Sequence, residues 1–150
     1  MKEKGPRAFL DTNVWISAYV FTGNEKEIVR KAINGEFSPI ISDQVIGEFI
    51  RIIRDKFGFP KRSVFDAVSE MIQISEISEI AEIHDTKDIG LRDKDDTAIV
   101  NAALVSKCEF LVTGDKSIIE LKRIGDTKII KPGEFLAILK RNGSVKEDQF

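Results

Sequence analysis

Asp11, Glu48, Asp96 and Asp115 stand among apolar residues, where a carboxylate needs a partner or a purpose. Asp11 ends the apolar run Ala8-Phe9-Leu10, and Asp115 closes Leu111-Val112-Thr113-Gly114, so both sit where a buried strand would leave its sheet. Glu48 lies between Val45 and Ile52 at helical spacing, and Asp96 precedes Ile99, Val100 and Ala103 in the same manner. Carboxylates gathered at one place repel one another unless protons or cations neutralise them. Hard oxygen donors favour Mg2+ or Mn2+, whereas the one histidine and one cysteine of the chain make a zinc site improbable. A metal so held can activate water and stabilise charge on a phosphodiester, and phosphodiester hydrolysis is the chemistry this set points to. Taken singly, each acid also has an ordinary reading: Asp11 and Asp115 as turn residues, Glu48 as an exposed helical residue, and Asp93, Asp95 and Asp96 as helix caps.

The elements that would position these acids alternate in kind. Arg7 to Leu10 reads as a strand, followed by helical spacing at Val14, Ala18 and Phe21. Glu25 to Asn34 reads as a helix with Gly35 beyond its end, and Ser38 to Ile41 as a strand. Ser42 or Asp43 can cap the helix that carries Glu48, and Ser63 is the expected cap of the next one, after Phe57-Gly58-Phe59-Pro60. Isoleucines at 74, 77, 80 and 83 recur every three residues, which suits neither element, so the structure of residues 74–92 stays open; Asp85 to Asp93 reads as a polar loop. A helix through Leu104, a strand at Phe110–Thr113, a helical stretch around Ile118–Leu121, a strand at Lys128–Ile130 and a final helix at Glu134–Lys140 complete the series. This order predicts an α/β three-layer sandwich, a central parallel sheet with helices on both faces. The carboxyl ends of parallel strands share one edge, which lets Asp11 and Asp115 converge.

The expected domain plan is an N-terminal extension over 1–6, one domain over 7–140 and a mobile tail over 141–150. A chain of 150 residues with 42% hydrophobic content is sufficient for one core. The net charge of -2 excludes neither nucleic-acid nor small-molecule partners, since local patches decide recognition. One cysteine, Cys108, rules out an internal disulfide, and with no signal peptide or bilayer-length apolar run the expected location is the cytoplasm.

Four segments together resemble the PIN domains, a family of small α/β nucleases. These are Phe9-Leu10-Asp11-Thr12-Asn13-Val14, Ser42-Asp43-Gln44-Val45-Ile46-Gly47-Glu48, Asp96-Thr97-Ala98-Ile99-Val100-Asn101-Ala102-Ala103 and Leu111-Val112-Thr113-Gly114-Asp115. The resemblance covers roughly residues 7 to 140 and rests on the order and intervals of the segments. It implies a Mg2+- or Mn2+-dependent ribonuclease cutting single-stranded RNA. Many members are VapC-type toxins paired with an antitoxin, often as homodimers. It further implies that Asp11, Glu48, Asp96 and Asp115 hold metal, while Asn13 and Thr113 orient the ligands and Asp93 is a cap or extra ligand. The sequence departs from the family where Ser117 replaces an acid that relatives often carry. Asp96 is preferred to Asp95 as ligand because it shares the helix face of Ile99 and Ala103.

Arg51, Arg54, Lys56, Lys61 and Arg62 give a net +4 over residues 51 to 62 and are the expected RNA-binding cations, a solvated face being the alternative. Trp15, Tyr19 and Phe21 read as core or as an exposed dimer surface, with base stacking as a further role. His84 has no second histidine to work with. A haloacid dehalogenase-type phosphatase would need an Asp where Asn13 stands, and neither a Gly-x-Ser-x-Gly elbow nor a P-loop occurs. The alternative function is a PIN-like module that binds RNA or protein without cutting.

Overall fold

In the computed structural model residues 5–78, 91 and 93–148 are described, the side chains of 144–148 apart. The strands are β1 (Arg7–Leu10), β2 (Ser38–Ile41), β3 (Glu76–Ile77), β4 (Phe110–Val112), β5 (Arg123–Ile124) and β6 (Thr127–Ile130). They form one sheet in the order β3-β2-β1-β4-β6-β5, parallel except for β5, which pairs antiparallel with β6. Successive strand residues face opposite sides. Ala8, Phe9 and Leu10 are all fully buried, so both faces of β1 are covered. That is why these strands read as continuous apolar runs rather than alternating ones.

The helices are α1 (Thr12–Val20), α2 (Asn24–Ile33), α3 (Asp43–Asp55), α4 (Lys61–Ile74), α5 (Lys94–Ser106), α6 (Lys116–Ile119) and α7 (Pro132–Asp148). Ser42 caps α3 as its sequence suggests, its hydroxyl accepting from the Val45 N–H at 3.3 Å. Val45, Phe49 and Ile53, four residues apart, then form the buried stripe of α3. The α4 start is earlier than expected: Pro60 takes the cap position and the helix begins at Lys61, not after Ser63. The extended backbone that Pro60 holds already sets the entry to the helix, so no hydroxyl cap is required. The last helix continues beyond Lys140 to Asp148.

Two further features were not anticipated. Residues 76–77 form the edge strand β3, and Arg123–Ile124 folds back on Thr127 through Gly125, whose φ of 56° suits the first position of a two-residue turn. The expected loop over 85–93, His84 and the isoleucines at 80 and 83 lie outside the described residues, apart from Leu91 and Asp93.

The aromatic residues in and just after the first helix divide between the core and the exposed readings, and only Phe21 takes the exposed one. Trp15 is fully buried, and Tyr19 is half-buried, its hydroxyl donating to Glu70 at 2.6 Å and its ring edge-on to Phe49. Phe21 alone is exposed, edge-on to Phe57. Helical spacing indicates that residues share a face but not which element covers that face; here α1 packs against both α2 and α3.

Candidate functional site

The sheet register assembles the site. Leu10 pairs with Val112 and Val112 with Ile130, so the residues that follow β1 and β4 leave the sheet at the same level. Asp11 and Thr113 are consequently neighbours, 102 positions apart in the chain, and the Thr113 hydroxyl donates to Asp11 Oδ2 at 2.7 Å. Backbone bonds fix both residues: the Asp11 N–H donates to the Val112 carbonyl and the Thr113 N–H to the Ile130 carbonyl, each at 3.0 Å. The Thr113 hydroxyl also accepts from the Asp115 N–H at 3.1 Å, tying the two aspartate-bearing loops together.

Asp11 is buried at 8% exposure and stands at the N-cap of α1 without making a capping bond, so its carboxylate is not consumed in starting the helix. Burial raises its pKa and the Asp115 charge adds to the rise; the Thr113 hydroxyl and the first N–H groups of α1 oppose it. Asp115 starts α6, accepting from the Ser117 N–H at 2.8 Å. Ser117 thus contributes its backbone where relatives often offer an acid.

Asp93 caps α5, its Oδ1 accepting from the N–H groups of Asp95 at 2.8 Å and Asp96 at 3.4 Å. This anchors the turn from which Asp96 reaches the sheet edge. Asp96 is pushed up to about 6, first by desolvation and then by the charges of Asp115, Asp93 and Asp11. Glu48, half-buried on α3, is also raised, by desolvation first and then by Asp95 and Asp11, with the Thr12 side chain and Arg51 opposing. Thr12 Oγ1 is buried and has no hydrogen bond of full geometry, so its influence on Glu48 is that of a nearby dipole.

All four predicted acids therefore act on one field at the carboxyl edge of the sheet, Asp11 being common to Asp96, Asp115 and Glu48. Among the described residues no three His, Cys, Asp or Glu side chains already stand as a finished cation cage. Instead the acids bear on one another through charge. Asp95 is exposed, as expected, but its charge reaches Glu48, a coupling that spacing along one helix cannot reveal because it runs between α5 and α3. Asn13 is exposed and lines a neighbouring cleft; its backbone N–H favours the Asp11 carboxylate electrostatically without making a capping bond.

The five predicted cations occupy the end of α3 and the start of α4, all exposed. Arg54 pairs with Asp55 at 2.8 Å and Arg62 with Asp66 at 3.4 Å, while Lys56 lies 5.7 Å from the centre of the Phe57 ring. Asp55 is already subtracted in the net +4; Asp66, outside that stretch, neutralises one further cation.

A pH effect follows from Asp96. With an ordinary aspartate pKa near 3.9 in the unfolded chain and about 6 in the folded one, the folded state binds more protons between about pH 4 and 6. Stability of the metal-free protein then falls as pH rises through that window. Asp96→Asn should melt above the wild type in EDTA at pH 7 and beside it at pH 4. Identical thermal-melt profiles for the two proteins from pH 4 to 8 would show that Asp96 carries no such strain.

The family model for the PIN domain matches residues 7–117, and the chain belongs to the PIN domain family. Solved structures agree on the fold. PAE2754 from Pyrobaculum aerophilum superposes with a TM-score of 0.67 at 12% identity, covering 91% of this chain and 96% of that one. VapBC2 from Rickettsia felis, solved bound to a DNA fragment from its promoter, gives 0.57 at 18% identity, covering 83% and 98%. No curated protein matches the chain. No helix among the described residues is long and apolar enough to cross a membrane.

Proposed function

We propose that this PIN domain is a Mg2+- or Mn2+-dependent endoribonuclease that hydrolyses single-stranded RNA in the cytoplasm, acting as the toxin of a toxin–antitoxin pair and as a homodimer. The observation that carries this reading is the convergence of Asp11, Asp96 and Asp115 at the carboxyl edge of the sheet, where Thr113 links Asp11 to the Asp115 backbone and the Asp115 charge bears on Asp11 and Asp96. Carboxylates brought this close, with Asp11 and Asp96 both raised by the charge of Asp115, form a donor set suited to a hard divalent cation, which would neutralise them. Asp11, Asp96 and Asp115 would hold the metal, with Glu48 beside them. The ion would supply an activated water and neutralise charge developing on the phosphodiester.

The remaining residues orient and bind. Thr113 fixes the Asp11 carboxylate, Asp93 fixes the α5 turn that carries Asp96, and the Ser117 N–H fixes Asp115. Arg51, Arg54, Lys56, Lys61 and Arg62 would follow the RNA backbone. The exposed pairs of Arg54 and Arg62 are weak enough for a phosphate to displace. A protein partner is supported by an apolar groove of about 540 Å³ between α3 and α4, lined by Ile50, Val64, Phe65, Val68 and Ile72.

Incubation with a labelled single-stranded RNA tests the activity. Cutting is expected with Mg2+ or Mn2+, loss in excess EDTA, and recovery on adding Mn2+. Cutting that persists in EDTA would overturn the metal-nuclease reading; binding without cutting in either metal would favour a non-cleaving PIN-like module.

A further inference from the structure

A second cavity adjoins the acidic edge at Asp115. It is a cleft of about 340 Å³ lined by Asn13, Val14, Ser17, Glu25, Gly114, Asp115 and Pro132. Its size is at the lower end of the roughly 300–1,000 Å³ of small-molecule pockets and admits one planar base. It is built from the C-terminal loop of β4 and the starts of α1, α2 and α7, so elements packed on one another hold its walls.

The chemistry of the walls is specific. Glu25 and Asp115 are carboxylates, and no Lys, Arg or His lines the cleft, so a phosphate or another anion is repelled from it. Among the described residues the side chains of Asn13, Ser17 and Glu25 have no hydrogen-bond or ion-pair partner, leaving their donor and acceptor capacity for a ligand. Val14 and Pro132 supply apolar wall. A neutral, flat, donor-rich group fits this lining, and Asp115 joins the cleft to the acidic centre.

We propose that the cleft is a base subsite that takes a guanine of single-stranded RNA beside the scissile phosphate, with Glu25 as the specificity-determining residue. The inference rests on the ribonuclease reading above. Guanine alone among the four bases presents two adjacent donors, N1–H and the N2 amino group, that both oxygens of one carboxylate can accept. Adenine and cytosine offer a single amino group there and uracil a single N–H. Asn13 and Ser17 can donate to the acceptor atoms O6 and N7 of the same base. Unstacked bases of single strands are read in this way, on their exposed edges.

The test uses four labelled hexanucleotides, oligo-U and oligo-U carrying one central G, A or C, with the full chain and its Glu25→Gln and Ser17→Ala variants. Binding is measured by anisotropy in Ca2+ and cutting in Mn2+. The G-containing RNA is expected to bind, and to be cut next to the G, about tenfold better than the other three, the scale of one bidentate base contact. Glu25→Gln should bring the G-containing RNA down to the level of oligo-U in both binding and cutting, with Mn2+ affinity unchanged; Ser17→Ala should reduce the preference in part. Equal treatment of all four RNAs by the wild type, a preference that survives Glu25→Gln, or an equal loss on all RNAs with weakened Mn2+ affinity would each overturn the guanine subsite. If G-selective binding depends on Glu25 but nothing is cut, the subsite stands and the nuclease reading fails. Metal-dependent cutting without base preference gives the reverse.

Discussion

Asp11→Asn is expected to abolish metal-dependent cutting of single-stranded RNA and to leave the fold intact. The loss should exceed the roughly 10–100-fold drop typical of a residue that only supports a metal ligand, because Asp11 would itself be a ligand and is the acid whose charge reaches both Asp96 and Glu48. Asparagine keeps the shape and retains an oxygen able to accept the Thr113 hydrogen bond, and α1 does not depend on a capping bond from this side chain. Removing the charge from a site at 8% exposure relieves desolvation and repulsion, so the metal-free variant should melt at or above the wild-type temperature. Cleavage assays beside thermal melts separate the two effects. Normal cutting by Asp11→Asn would sink the assignment, and a collapsed melting temperature would make Asp11 a structural residue first.

Asp96→Asn and Asp95→Asn should differ in kind although the residues are adjacent. Consecutive helical side chains are about 100° apart, so one faces the sheet edge while the other turns from it. Asp96 is half-buried and pushed up to about 6 by burial and the charges of Asp115, Asp93 and Asp11, whereas Asp95 is exposed. Loss of the Asp96 carboxylate should weaken Mn2+ binding and RNA cutting together. Loss of the Asp95 carboxylate should leave Mn2+ affinity within a few-fold, its one effect at the site being to lower the Glu48 pKa by removing a repelling charge. Titration of Mn2+ with each variant, alongside cleavage rates, decides the matter. Loss of both properties in Asp95→Asn with an unaffected Asp96→Asn would reverse the assignment.

What the sequence determined by itself was the order of the helices and of four of the six strands, the apolar runs that had to be buried on both faces, and the four acids placed against those runs. These are local properties. A strand buried on both sides must be continuously apolar, and a carboxylate at its end is conspicuous without reference to any other part of the chain. The Ser42 cap was legible for the same reason, since it depends on residues three apart. The Pro60 start of α4 shows the limit even there, for the hydroxyl of Ser63 was the expected cap and the extended backbone at Pro60 starts the helix earlier.

The tertiary structure decided everything that depends on distance across the fold. Only the pairing of Leu10 with Val112 brings the Thr113 hydroxyl onto Asp11, and only the packing of α1 against α2 and α3 sends Trp15 inward and closes Tyr19 onto Glu70. The reach of Asp95 to Glu48 and the cleft that joins Asn13, Ser17 and Glu25 to Asp115 belong to the same class. Their partners sit on different elements, and no periodicity along one segment encodes the register between two. The charge of residues 51–62 was likewise countable in advance. The Arg62–Asp66 pair was missed for a local reason, since α4 begins at Lys61 and not after Ser63 and so brings these residues, four apart, onto one helix face.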